Sequence, residues 1–392
     1  MAVFDLSSVR ATPALARPAE LICIALAIAH AVYLAAAYWQ GIWIVAPDGN
    51  GVESDFVNVW AAGKLALQGL GANAYDWPAH KAMEVVAVGH SFDGYFGWHY
   101  PPIFLFAAAP LALLPYSSAY ILWLLATFLA YVCVVRAIVG DRSGYLLAAA
   151  FPAILSNFVV GQNGFLTAGL MGGALLLLNA RPVIAGVLLG ALTYKPHLGL
   201  LFPVVLAVTG HWRVFATAAI TAAALAAASA LVFGIETWLA FFPSISHTSQ
   251  AFLTDGWANF GKLQTAFGLT RMLGGSEGLA WAVQIPVSAA VALGVVAIWR
   301  SRVDYEIKAA ALGAGAMLAT PYLYTYDLVV LAVPLAFLFR LARADGFLPG
   351  EPATIALACA LIAAFPFVTA PVGFAAVLIV AGIVVRRALN AS

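Results

Sequence analysis

VFATAAITAAALAAASALVF, residues 214–233, runs for twenty residues without an ionisable side chain. A helix rises 1.5 Å per residue, so about twenty apolar residues cross the hydrocarbon core of a bilayer with every backbone group bonded internally. Comparable runs cover 20–38, 117–137, 279–298 and 325–341, and a last pair, 352–369 and 371–385, is split by Pro371. Shorter apolar runs occupy 101–115, 145–160, 165–179, 183–194, 197–209 and 306–320. Short or proline-broken helices are expected where a bundle encloses a polar cavity. The pattern predicts an all-α polytopic membrane protein, a single integral domain over 1–392 with about 11–13 membrane segments.

Composition excludes the alternatives. Of the 392 residues 64% are hydrophobic and 9% charged, whereas soluble chains carry roughly 25% charged residues. The net charge is +1 and no basic tract exists, so no nucleic-acid partner is expected. Cys23, Cys133 and Cys359 lie singly in apolar runs and read as small buried hydrophobes, without a CxxC pair for a metal or disulfide. Tyr38-Trp39-Gln40 lacks the small residues of a signal cleavage site, so the first run is expected to remain as a transmembrane helix.

Orientation follows the Lys/Arg bias of short loops. Counted back from Arg386-Arg387, the cytoplasmic loops hold Arg340/Arg343, Arg300/Arg302, His211-Trp212-Arg213, Arg181 and Arg142. The opposite face then carries 234–278, Thr320–Tyr326, Lys195-Pro196-His197 and Gly161–Gly164. Counted forward from Arg10 and Arg17, the region 40–100 is outside. The two counts differ by one crossing between 100 and 140, where the proline-rich run 101–115 either dips in and returns or hides a misassigned segment.

Two extramembrane regions stand out. The first, 40–100, concentrates charge: Asp48, Glu53, Asp55, Lys64, Asp76, Lys81, Glu84 and Asp93, with His80, His90 and His99. Phe56, Val59, Trp60, Gly63 and Leu67 recur at helical spacing, predicting a helix lying in the interface plane, with a second over 78–88. The other region, 234–278, carries Trp238, Phe241, Phe242, His247, Asp255, Trp257, Lys262 and Arg271, an aromatic loop suited to headgroups or a lipid-linked ligand.

The candidate chemistry sits in these loops. Asp55 begins the first interfacial helix. It reads either as an N-cap, its pKa kept low by free backbone amides, or as a general base for a hydroxyl, with Glu53 as competitor. Lys195, between two apolar runs, is costly at membrane depth and would hold an anionic group, with His197 beside it; the alternative is a snorkelling lysine. Gln162 and Asn163, flanked by Gly161 and Gly164, offer amides to sugar hydroxyls or to their own turn. Tyr322, Tyr324, Tyr326 and Asp327 form a polar-aromatic cluster after Pro321. Tyr100-Pro101-Pro102 reads as structural. His247 and Lys262 are placed to contact substrate. No HExxH, Walker, GxSxG or dinucleotide-binding pattern occurs and no acidic pair resembles a metal cage, so neither metal nor other cofactor is expected.

These features resemble glycosyltransferase family 87 of the GT-C superfamily, the former domain of unknown function 2029. The resemblance lies in Asp55 with Trp60-Ala61-Ala62-Gly63 and Gly69 through Ala74-Tyr75-Asp76; in Tyr100-Pro101-Pro102 with Pro110 and Leu114-Pro115; in Gly161-Gln162-Asn163; in Gly186 and Gly190 before Lys195-Pro196; and, more loosely, in Thr320-Pro321-Tyr322 and Tyr326. It implies a bacterial inner-membrane enzyme facing the periplasm. Such an enzyme would move mannose or arabinofuranose from a polyprenyl-phosphate donor to a glycolipid or polysaccharide acceptor, with inversion. Asp55 would be the general base. Lys195, with His247 or Lys262, would hold the donor phosphate. Apart from the resemblance, a lipid transporter or flippase, or a non-catalytic subunit of an envelope polysaccharide complex, also fits. Transporters, however, commonly show internal repeats and mid-membrane charges, and neither is seen here.

Overall fold

The computed structural model describes residues 17–391, so Arg10 falls outside it. Among the described residues the chain is a bundle of helices joined by turns, with three isolated β-bridges and no strand. Six helices are long and apolar enough to cross a membrane: Arg17–Trp39, Tyr116–Val139, Trp212–Phe233, Glu277–Arg300, Thr325–Asp345 and Val372–Ala391. Ser143–Ala150 and Ala153–Val160 together are also long and apolar enough, as a broken span or a re-entrant loop, and are bent by 63° where Pro152 removes a backbone donor. Six shorter apolar helices accompany them.

The short helices survive because protein, rather than lipid, surrounds them. Tyr305–Leu318 is buried along almost its whole length. Its AAALGAGAM stretch lets neighbouring backbones approach closely, the packing that small residues provide in membranes. Gly164–Leu177 is likewise enclosed, and Tyr131, Ile138, Phe165, Met171 and Leu175 fill the core between it and Tyr116–Val139.

Three expectations are corrected here. The run 101–115 becomes a 3₁₀ turn, Pro102–Phe104, and a seven-residue helix, Leu105–Leu111. At 1.5 Å per residue that is far too short to span. It packs on Phe56–Leu67 instead. Phe56–Leu67 does not lie on a surface: from Phe56 through Leu65 only Lys64 is not buried. Its apolar residues run all round the helix, the pattern of an enclosed helix rather than an interfacial one. The helix that does expose an apolar stripe is Ile235–Ser249, with Ile235, Leu239, Phe242 and Ile245 all exposed. The cysteines are free, Cys133 is exposed, and Cys23 and Cys359 are only partly covered.

Charged groups at the arginine-rich ends of the helices pair with one another. Arg343 meets Asp141, Arg340 meets Glu306, and Arg387 bonds both carboxylate oxygens of the buried Glu351. The opposite ends converge on a cavity.

Candidate functional site

The cavity has a volume of about 660 Å³ and takes its walls from seven separate stretches: Asp55 and Asn58, Tyr95–Pro101, Ser156 to Gln162, Tyr194–His197, Phe241–Lys262, Tyr322–Tyr326, and Phe365. Each stretch is positioned by local chemistry. Asp76 caps Trp77–Val88 by accepting from the Ala79 amide at 3.0 Å, Pro78 fills the first turn and Gly89 ends the helix in a left-handed conformation. This helix folds the 40–100 region back over Phe56–Leu67. Phe56 stacks on Tyr120 with ring centroids 4.8 Å apart, and this contact sets the direction of the preceding residue, Asp55.

Asp55 is not a cap. Its backbone is already helical (φ −57°, ψ −22°) and its side chain bonds no helix amide; a capping residue needs extended dihedrals for its side chain to fold back. The carboxylate turns to the cavity, where Gln162 Nε2 donates to Oδ2 at 3.0 Å. The Tyr100 hydroxyl donates in turn to Gln162 Oε1 at 2.9 Å, which fixes the amide's orientation. Burial pushes the Asp55 carboxyl above its ordinary pKa, while the Gln162 bond and the charges of Lys262 and Lys195 pull it back. Tyr100, expected to be structural, is therefore part of the site. Its neighbours Pro101 and Pro102 do start the following turn.

Gly161 (φ +70°) closes Ala153–Val160 in the left-handed region, and a Cβ there would lie 2.5 Å from the Tyr120 ring. This turn delivers Gln162 to the cavity and Asn163 to its rear wall. Lys195 is 3% exposed and its ammonium is already engaged, donating to Asn163 Oδ1 at 2.7 Å and forming an ion pair with the fully buried Asp327. Asp327 Oδ2 accepts from the Tyr324 amide at 3.2 Å. Lys195 thus reaches the cavity already neutralised, and Asn163 and Asp327 stand behind the wall. Among the described residues lining the cavity, Asp55 is the one carboxylate. Lys262 is the one ammonium with neither an ion pair nor a side-chain hydrogen bond.

The remaining candidates divide. His197, edge-on to Tyr322 at 5.4 Å, and Tyr322, Tyr324 and Tyr326 all line the cavity. Glu53 does not: its side chain is 39% exposed and its Oε2 lies 3.9 Å from His90 Nε2. His247 lines a neighbouring cavity. His99, noted in the sequence only among the ionisable residues of 40–100, and Tyr194 also line the cavity; His99 Nδ1 meets Thr248 Oγ1 at 2.8 Å across 149 residues of chain. No local pattern marks such a pairing. Among the described residues no group of three or more His, Cys, Asp or Glu side chains is arranged to hold a metal ion.

One carboxylate of raised basicity, one free ammonium and a ring of neutral hydroxyl, amide and imidazole groups can deprotonate a hydroxyl beside an anionic leaving group. The family model for glycosyltransferase family 87 matches residues 98–321, more than half of the chain and including Tyr100, Gln162, Lys195 and Lys262, while Asp55 precedes the matched span. No curated protein and no solved structure matches the chain.

Proposed function

Because the chain belongs to glycosyltransferase family 87, we propose that it transfers mannose or arabinofuranose from a polyprenyl-phosphate donor to a glycolipid or polysaccharide acceptor, with Asp55 as general base. The observation that carries this reading is the pairing, in one cavity, of the lone lining carboxylate with the unengaged ammonium of Lys262. The acceptor hydroxyl attacks the anomeric carbon and gives its proton to Asp55. The bond from that carbon to the phosphate oxygen breaks, and its electron pair departs on the polyprenyl phosphate. A single displacement inverts the anomeric centre. The raised pKa of Asp55 favours this role, since a stronger base takes the proton more readily.

Lys262 opposes the charge that gathers on the departing phosphate, an interaction stronger in the transition state than in the ground state. Lys195, held by Asp327 and Asn163, contributes by anchoring the wall. Gln162, His197, Tyr322 and Tyr326 suit sugar hydroxyls. Ile245, Phe252 and Phe365 give the cavity an apolar side for the first isoprene units, and the exposed stripe of Ile235–Ser249 suits contact with headgroups and acyl chains. The positive-inside alternation supports a placement of this end of the bundle on the non-cytoplasmic side, the periplasmic face of a bacterial inner membrane in this reading.

The test is transfer from radiolabelled polyprenyl-phosphate-mannose or -arabinose by purified protein in nanodiscs. Asp55→Asn is expected to lower turnover about 10²–10⁴-fold, and Lys262→Met to weaken use of the donor about 10–100-fold, whereas Glu53→Gln retains activity. Full turnover by Asp55→Asn would remove the proposed base.

A further inference from the structure

A second cavity, of about 440 Å³, adjoins the first and shares Tyr95, His99, Thr248 and Trp257 with it. Its own walls come from the start of Trp77–Val88, which contributes Trp77 and His80, and from the end of Ile235–Ser249 and the turn beyond, with His247, Gln250 and Asp255. No lysine or arginine lines it. A phosphate placed there would lose its hydration without gaining a cation, so the phosphorylated end of the donor belongs in the first cavity, with Lys262.

What the second cavity offers is aromatic faces, neutral hydrogen-bonding groups and the carboxylate of Asp255, an acceptor for sugar hydroxyls. Trp77 packs on Tyr95 with ring centroids 4.3 Å apart, and Trp257 meets the same ring edge-on at 5.2 Å. Electron-rich ring faces attract the C–H faces of a pyranose or furanose. His99 is partly buried, and desolvation holds its pKa down to about 3, so its imidazole is neutral across the physiological range. His80 is the more telling group. It is 1% exposed, and neither ring nitrogen makes a hydrogen bond, although Nε2 stands 3.5 Å from Glu84 Oε1. A buried polar group without a partner costs about 1–3 kcal/mol. A hydroxyl, which both donates and accepts, satisfies an imidazole in either tautomer.

We propose that this second cavity is a saccharide subsite that binds a sugar ring of the acceptor next to the one being glycosylated, so that the acceptor is at least a disaccharide headgroup. The proposal rests on the glycosyltransferase reading for its place in the reaction, but binding itself can be measured without turnover.

The experiment is saturation-transfer NMR on the full chain in deuterated detergent, with methyl mannoside, an α-linked mannobiose, methyl arabinofuranoside, an arabinobiose and inorganic phosphate as probes. At least one disaccharide is expected to receive magnetisation from the aromatic side chains. Trp77→Ala weakens that binding about tenfold, Trp77→Phe largely restores it, and the thermal midpoints of both variants report that the fold is kept. Absence of transfer to every saccharide overturns the subsite, as does disaccharide binding that is indifferent to both Trp77→Ala and His80→Phe. Should Asp55→Asn transfer sugar normally while Trp77→Ala abolishes disaccharide binding, the base assignment falls and the subsite stands.

Discussion

The Gln162 amide sets the environment of the proposed base, Asp55. Its Nε2 donates to the charged form of Asp55, and Tyr100 prevents it from flipping. Removing a donor from a carboxylate disfavours ionisation. Gln162→Ala should therefore raise the Asp55 pKa further and move the acidic limb of the kcat–pH profile to higher pH; a limb that stays in place, or moves down, means that this bond does not reach the titrating group. Asp55 itself was legible from its position, a carboxylate between the first membrane run and a helix. Its state was not. The sequence left a cap and a general base both open and expected a low pKa, and the opposite shift arises from burial by residues up to about 270 positions away, such as Tyr322 and Tyr324.

At the scale of elements, the decisive contact is between Phe56–Leu67 and Leu105–Leu111. A Cβ on Gly63 would lie 2.1 Å from the carbonyl oxygen of Ala108, a backbone atom that no rotamer change can move. Overpacking such a contact costs about 1–3 kcal/mol. Gly63→Val should accordingly lower the thermal unfolding midpoint in detergent and, by displacing the helix that begins at Phe56, reduce turnover as well. A variant with unchanged midpoint and activity would show that the two helices are free to separate. The apolar spacing of Phe56–Leu67 was plain in the sequence, yet it pointed to the membrane surface, because a stripe of hydrophobic residues does not say whether lipid or protein covers it. The exposed stripe of Ile235–Ser249 has the same ambiguity and resolves the other way.

For the whole molecule, Lys195 and Asp327 connect parts of the chain 132 residues apart, with Asn163 completing the lysine's shell. Breaking a buried ion pair from one side leaves an uncompensated charge and costs about 3–5 kcal/mol, more than the intact pair contributes. Lys195→Met is expected to destabilise the fold by that order in denaturant or thermal unfolding, and the double variant Lys195→Met/Asp327→Asn to recover much of the loss. Equal destabilisation in single and double variants would mean that the pair is not coupled. A loss of turnover in Lys195→Met thus reports on a collapsed cavity wall before it reports on phosphate binding.

The chain's apolar runs determined that it is a helical membrane protein, because lipid forces every backbone group to bond within its own helix and that demand is written locally, residue after residue. The same runs fixed where loops fall, and the charge alternation placed Gln162, Lys195 and Tyr322 at one end of the bundle, while the count to Asp55 differed by one crossing. Which of those residues share a cavity was decided only by tertiary packing. Lys195 is neutralised and Lys262 is not, Glu53 faces away, and His80 waits without a hydrogen-bond partner beside a wall of tryptophans. These outcomes depend on which groups distant stretches bring within about 3 Å, a distance that no local spacing encodes.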